Sequence, residues 1–462
     1  MVWAVRGLLL VLLAFANLND IWSPDVLPNA LLSWTILREG NVDFGEFTGP
    51  PGSALLDRQT YFFRACGSPA DRPLTEVPVG PARSIGGPPP PGLTDAVCSV
   101  FPPGIALIAL PFFAPFVLGG ALPTDLGLLL RLGHLVAAIV EAAATLLLWS
   151  VMRRSVGAQW ALVLVILYTL GTSVRTVASQ ALWQHAGVHL GYSVALWLTL
   201  VPRRLSEVEA LLAGLALGVG SVVRQTVALA IPSLLREHPR RVVAGALLGI
   251  VPLLVYDVAA FGAPLEQGYG TKPFSFAPTG LVGLLVSPSR GIFVYEPYLL
   301  AAVAALALAW SRPGEVARRL RWLSLSALAT LVLYASYAEW WGGRVFGPRF
   351  LDDLAPVLFA ALAWGVGEGL LRSPFWRALF GIGAVWSLVI FQAAAFVYDQ
   401  HWDTAPLNVN LFPARLWDWS DPQWLAVLRD VPTGGFRVAT AAVLTALLVG
   451  ALARVEQISS PA

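Results

Sequence analysis

Long apolar runs recur from residue 5 to residue 453 and leave little polar sequence between them. Runs near the roughly 20 residues that cross a bilayer predict helices at 4–19, 125–150, 157–173, 186–201, 207–221, 225–236, 242–260, 292–310, 322–337, 351–371, 378–397 and 437–453. The pieces 207–221 and 225–236 are short for straight spans, so a broken pair around Arg224 is predicted. The apolar stretch 102–121 is set apart. Pro102, Pro103, Pro111 and Pro115 are expected to break a helix there, and a juxtamembrane or re-entrant segment is predicted instead.

Between the runs, arginines cluster at Arg153 and Arg154, Arg203 and Arg204, Arg236 with Arg240 and Arg241, Arg312 with Arg318, Arg319 and Arg321, and Arg372 with Arg377. The positive-inside bias assigns these to the cytoplasm. Residues 20–124 and 398–436 then become extracytoplasmic loops. A crossing at 102–121 would move every later arginine pair outside, against that bias. The start, MVWAVRGLLLVLLAFA, is read as an uncleaved signal anchor, although Ala14-Phe15-Ala16 has the form of a cleavage site.

Composition agrees with this pattern: 56% of the 462 residues are hydrophobic and 13% charged, about half the usual charged share of roughly 25%. The expectation is an all-α polytopic membrane protein, one unit over 1–462, with about twelve spans. A net charge of +2 and the lack of any RNA-binding signature exclude a nucleic-acid partner. Cys66 and Cys98 stand 32 positions apart and match no zinc pattern. They are free thiols or a pair, and an oxidising outer compartment favours a disulfide.

Under this topology the polar clusters at 17–25, 180–185, 224–225, 269–272, 287–290, 339–349 and 398–403 all share the outer face. One polar floor suits an enzyme working at one surface, whereas a transporter needs ionisable groups near the midplane and two related halves. Asp20, Asp25 and Asp43 follow the first helix closely, and a carboxylate there suits a general base; helix capping is the plainer role for Asp20 or Asp43. Arg349, two residues before a predicted span and behind a Gly-Pro step, can grip a lipid phosphate with its fork of donors. Arg290, behind Ser287-Pro288-Ser289, and His185 are further candidates for that phosphate. Gln184, Arg224, Tyr269, Lys272, Glu339, Trp340 and Trp341 complete the expected substrate pocket. The tryptophans also suit an interfacial belt. No Gly-rich nucleotide loop and no metal-ligand spacing are present; no cofactor is expected, and a divalent cation stays open.

At these residues the chain resembles the GT-C superfamily of multi-span glycosyltransferases, which includes protein O-mannosyltransferases and the lipid A aminoarabinose transferase. The motifs are REGN at 38–41, VFPPGIALIALP at 100–111, SQALWQH at 179–185, SPSRG at 287–291 and WWGGRVFGPRFL at 340–351. The similarity covers residues 17–423 and is closest to bacterial members. It implies juxtamembrane helices, a polyprenyl-phosphate sugar donor and inverting transfer on the extracytoplasmic face of the bacterial cytoplasmic membrane. The acceptor is a glycan, lipid or protein. The base is an acidic residue of the first loop, carried best onto Asp25; relatives commonly show Gly-Asp where Pro24 stands here, so Asp20 stays in play. The extension 66–98 matches nothing in the family. A transporter or lipid flippase is the rival from another class, and a ligase using a diphosphate donor would share the outward polar floor.

Overall fold

A computed structural model describes residues 2–47, 63–66, 97–121, 126–266, 268 and 274–459. Tyr269 and Lys272 lie outside the described residues. The protein is almost wholly helical: α1 Val2–Phe15, α2 Leu27–Arg38, α3 Gly104–Leu118, α4 Leu126–Arg153, α5 Ala158–Leu170, α6 His185–Thr199, α7 Glu207–Val223, α8 Pro239–Phe261 and α9 Pro278–Val286. The second part runs α10 Ile292–Tyr295, α11 Leu299–Leu308, α12 Glu315–Ala335, α13 Arg349–Asp352, α14 Ala355–Gly367, α15 Pro374–Val397, α16 His401–Thr404, α17 Gln423–Asp430 and α18 Gly435–Ser459.

Among the described residues, four helical stretches are long and apolar enough to cross a membrane: α4, α8, α15 and the run Gln423–Ser459. Helices occupy the other expected positions, but several are shorter than a straight span. The stretch 225–236 forms a 3-10 helix over Gln225–Leu234, and Arg224 at the join has extended backbone, as a broken pair requires. The expected helix 292–310 is itself broken into α10 and α11 around Glu296 and Pro297. Arg349 opens a short helix of its own ahead of α14, whose first turn holds Pro356.

The stretch around 102–121 corrects one expectation. Pro111 and Pro115 stand inside a continuous 15-residue α3. Packing overrides their cost: Ser33 Oγ donates to the Ala106 carbonyl at 3.0 Å, Trp34 meets Phe113 edge to face, and a Cβ on Gly104 would strike the Val223 backbone at 2.4 Å. Helix α3 is thus wedged between α2 and α7.

The closest helix pair is α7 with α8. Its contact is cut from glycine, since a Cβ on Gly214 would sit 2.2 Å from the Val242 carbonyl and one on Gly245 would sit 2.0 Å from the Leu211 carbonyl. With Gly218 and Gly249 these form small-xxx-small spacings on both helices, the pattern that lets backbones approach where no water drives packing. Helix α7 is opened by a capping box between Ser206 and Glu209.

The two ends of the bundle differ. At one end the arginine-rich connections meet: Arg319 donates to the carbonyls of Thr199, Val201 and Arg203 at 2.6–2.7 Å and to Glu237 at 2.9 Å. These bonds satisfy the orphan carbonyls where α6 ends. Arg6 pairs there with Glu456, which also meets Arg153 at 3.0 Å, tying α1, α4 and α18. At the other end the polar connections interlock, with Asn17 donating to Gln180 at 2.7 Å, Asn19 to the Tyr398 carbonyl at 3.1 Å and Arg437 to the Leu18 carbonyl at 3.0 Å. A two-stranded sheet, Phe63–Ala65 with Val97–Ser99, lies beside α2. Cys66 and Cys98 are joined there as a disulfide, and Asp43 bridges to Cys98 through the backbone.

Candidate active site

The polar end is built around a row of five polar and charged side chains from four elements, since Arg349 and Asp353 open and cap the same short helix. Asp25 sits in a 3-10 turn, Pro24–Val26, whose proline fixes the entry to α2. Its carboxylate accepts from Arg349 Nη2 at 2.5 Å and from Trp183 Nε1 at 2.8 Å, and Ser23 Oγ donates to it as well. Arg349 Nε donates to His185 Nε2 at 3.1 Å. On its other side, His185 Nδ1 meets Asp353 at 2.8 Å. Asp353 also pairs with Arg224 at 3.3 Å and accepts from the Tyr334 hydroxyl. The row therefore reads Asp25, Arg349, His185, Asp353, Arg224, with anion and cation alternating around one imidazole. A neutral His185 fits the row, because Nε2 accepts from Arg349 while Nδ1–H donates to Asp353.

Burial and charge act in opposite directions on Asp25. Desolvation raises its pKa, but the Arg349 guanidinium and the donors on Ser23 and Trp183 outweigh it and hold the carboxyl below the ordinary range. Asp25 is ionised at neutral pH and accepts three hydrogen bonds, two on Oδ1 and one on Oδ2. Arg349 is less enclosed: its side chain is 13% exposed, and its bond to the Gly342 carbonyl is long at 3.3 Å. Gly342, Gly343 and Gly347 all have positive φ, so the loop that fixes Arg349 depends on backbone that other residues rarely adopt.

The remaining expected residues divide. Arg224 joins the row at the break after α7, with its guanidinium over the Tyr334 and Phe350 rings. Gln184 is buried beside His185, and its Nε2 has no hydrogen-bond partner. Glu339 is half-buried on the turn leading to the glycine loop. Asp20 is exposed, and the Asp43 carboxylate accepts from the Gly45 amide at 3.0 Å in a local turn. His185 is wholly enclosed, so it orients Arg349 and Asp353 and has no open face for a phosphate.

Arg290 is a correction. Its donors are all taken: Nε by the Trp341 carbonyl, Nη1 by the Ser289 carbonyl and Gln423, and Nη2 by the Gly343 carbonyl and Asp403 at 2.6 Å. With 1% exposure it is a strut between the glycine loop and the C-terminal connection, with no donor left for a phosphate. Trp340 and Trp341 are corrected likewise. The Trp340 ring fills the space against Gly283 and packs on Trp417, and Trp341 Nε1 donates to Asn410 at 3.0 Å. Both are buried wedges.

Sequence reasoning missed a second buried group. Glu141, midway along α4, accepts from Tyr168 and meets His189 Nδ1, both at 2.9 Å, and His189 Nε2 meets the Asp352 carbonyl at 2.8 Å. An acidic residue in the middle of an apolar helix is a signal in itself. Glu141, Asp352 and His189 lie inside the bundle, so the ionisable groups are not confined to its polar end. Trp183, inside SQALWQH, and Tyr334, six residues before WWGGRVFGPRFL, were also unassigned. Among the described residues no group of three or more potential ligands could hold a metal ion.

No protein-family model matches the chain, no curated protein matches it, and no solved structure matches it.

Proposed function

We propose that the protein is an integral-membrane glycosyltransferase of the GT-C kind, which moves a sugar from a polyprenyl-phosphate donor to an acceptor outside the bacterial cytoplasmic membrane. The observation that carries this reading is the pairing of Asp25 with Arg349 at the end of the bundle opposite the arginine-rich connections. A lipid phosphate keeps its chain in the bilayer and its charge at the surface, where it needs a cation with water largely excluded. Arg349 and Arg224 supply that charge, and Asp25 supplies the base. The acceptor hydroxyl gives its proton to Asp25 as its oxygen bonds to the anomeric carbon. The bond from that carbon to the phosphate oxygen breaks, and its electron pair leaves with the phosphate, stabilised by Arg349. Attack opposite the departing phosphate inverts the anomeric centre.

Purified protein is to be incubated with radiolabelled polyprenyl-phosphate sugars and candidate acceptors. Consumption of one donor, lost in Asp25→Asn, supports transfer; no consumption of any donor overturns it. The rival reading, a proton-coupled transporter, draws on the buried Glu141, His189 and Asp352 group. Solute or lipid movement across vesicles, abolished in Glu141→Gln with Asp25→Asn unaffected, would favour it.

A further inference from the structure

We infer that Asp25 occupies the donor phosphate's place on Arg349, so that arrival of the phosphate is what frees the base. This rests on the reading just given. In the structure the two roles are in conflict: Asp25 is bonded to Arg349 Nη2 at 2.5 Å, while Ser23 and Trp183 hold its other oxygen. A carboxylate that accepts three hydrogen bonds, one of them from a guanidinium, is a weakened base, and the best fork for a phosphate is already gripping an anion. Both conflicts end in one exchange. A phosphate oxygen replaces the carboxylate oxygen on Nη2 and the Asp25 oxygen turns to the acceptor. No covalent bond is made or broken in this step, and the charge on the guanidinium stays matched throughout.

The surroundings suit an exchange at this pair. Arg349 keeps two anchors that do not involve Asp25, the Nε bond to His185 and the Nη1 bond to Gly342, so its guanidinium stays in position when the carboxylate leaves. Asp25 retains the Ser23 and Trp183 bonds, which keep it ionised and near. The pair is also the more open one: side chains are 13% and 9% exposed, against 1% and 0% for Arg290 and Asp403. An unloaded enzyme is thereby silent, since its base is neutralised until a phosphate is in place. The acceptor would then be deprotonated only beside a bound donor.

The test is binding of farnesyl phosphate to the purified full-length protein in detergent, with inorganic phosphate as a second probe. Because the carboxylate competes with the ligand, Asp25→Asn is expected to bind farnesyl phosphate about tenfold more tightly than the parent. The gain should vanish when Arg349→Ala is already present, because the competition runs through that guanidinium. Equal or weaker binding by Asp25→Asn, with parent binding that still depends on Arg349, overturns the exchange and leaves the transfer reading standing. A gain that persists in the double variant also overturns it, as a general field effect. Binding that ignores Arg349, or none by any variant, overturns both the exchange and the phosphate site beneath it. Inorganic phosphate showing the same gain assigns the effect to the headgroup; a gain confined to farnesyl phosphate adds the chain as a required anchor.

Discussion

Two of the arginines that meet a buried aspartate at the polar end make close pairs, Arg290 with Asp403 at 2.6 Å and Arg349 with Asp25 at 2.5 Å. Around Arg290 there is an acceptor for every N–H, three of them carbonyls, and Asp403 is bound in turn by Tyr398 and Gln423. Around Arg349 there are fewer acceptors, one bond is long, and an edge stays open. A saturated guanidinium fixes two loops to each other, whereas an undersaturated one at the surface can exchange partners. The number of acceptors, more than the charge, separates a strut from a candidate site.

The largest effect that can break this comparison is expected at the strut. Arg290→Ala leaves Asp403 charged and buried without its cation, a loss of about 3–5 kcal/mol. It should appear as a lowered Tm or failure to purify as a monodisperse species. Arg349→Ala should retain the fold. If Arg290→Ala were as stable as the parent and lost donor use, the two roles would have to be exchanged.

At the candidate site, Arg349→Ala should reduce donor use at low donor by about 30-fold or more, as expected for a charge-assisted bond worth roughly 2–3 kcal/mol. Arg349→Lys keeps the charge and loses the fork, and should fall between the two. Donor titrations in which both variants match the parent would make Arg349 a structural anchor like Arg290.

The smallest effects are in pH dependence, and they have opposite signs for two carboxyls of the first loop. Asp25 is held below the ordinary range, so the stability it contributes is complete above the unfolded pKa near 4 and is lost as pH falls below it. Glu46 is buried beside Thr35, and burial raises it to about 7. Between about pH 4.3 and 7 the unfolded chain therefore gives up the Glu46 proton first, and stability declines as pH rises. Thermal melts should show the acid-side loss shrink in Asp25→Asn and the decline toward neutrality shrink in Glu46→Gln. An unchanged slope in either variant would remove that residue from the account.

Much of this was legible in the chain. The apolar periods gave the helices, because a helix in lipid must satisfy its own backbone and the length it needs is fixed by the bilayer. The break at Arg224 was legible because two short apolar pieces flank a charge. The candidate residues Asp25, Arg349, His185 and Arg224 were each legible as polar groups where polarity is costly. Their order in one row was not, since Arg349 lies 324 residues from Asp25 and could as well have met Asp352. The continuity of α3 was misread because local proline cost is visible in sequence and the faces of α2 and α7 that outweigh it are not.

By itself, then, the sequence determined the helical, membrane-suited character of the protein and the set of groups available for chemistry, because composition and period act locally. Only the tertiary structure decided which cation each carboxylate meets and how many acceptors each guanidinium finds. Hydrogen-bond partners are chosen by position in three dimensions, and Arg290 and Arg349 follow similar small-residue and proline turns to different fates. The sequence offered Arg349 first and Arg290 second for the same role; packing filled every donor of Arg290 and left Arg349 with an edge open.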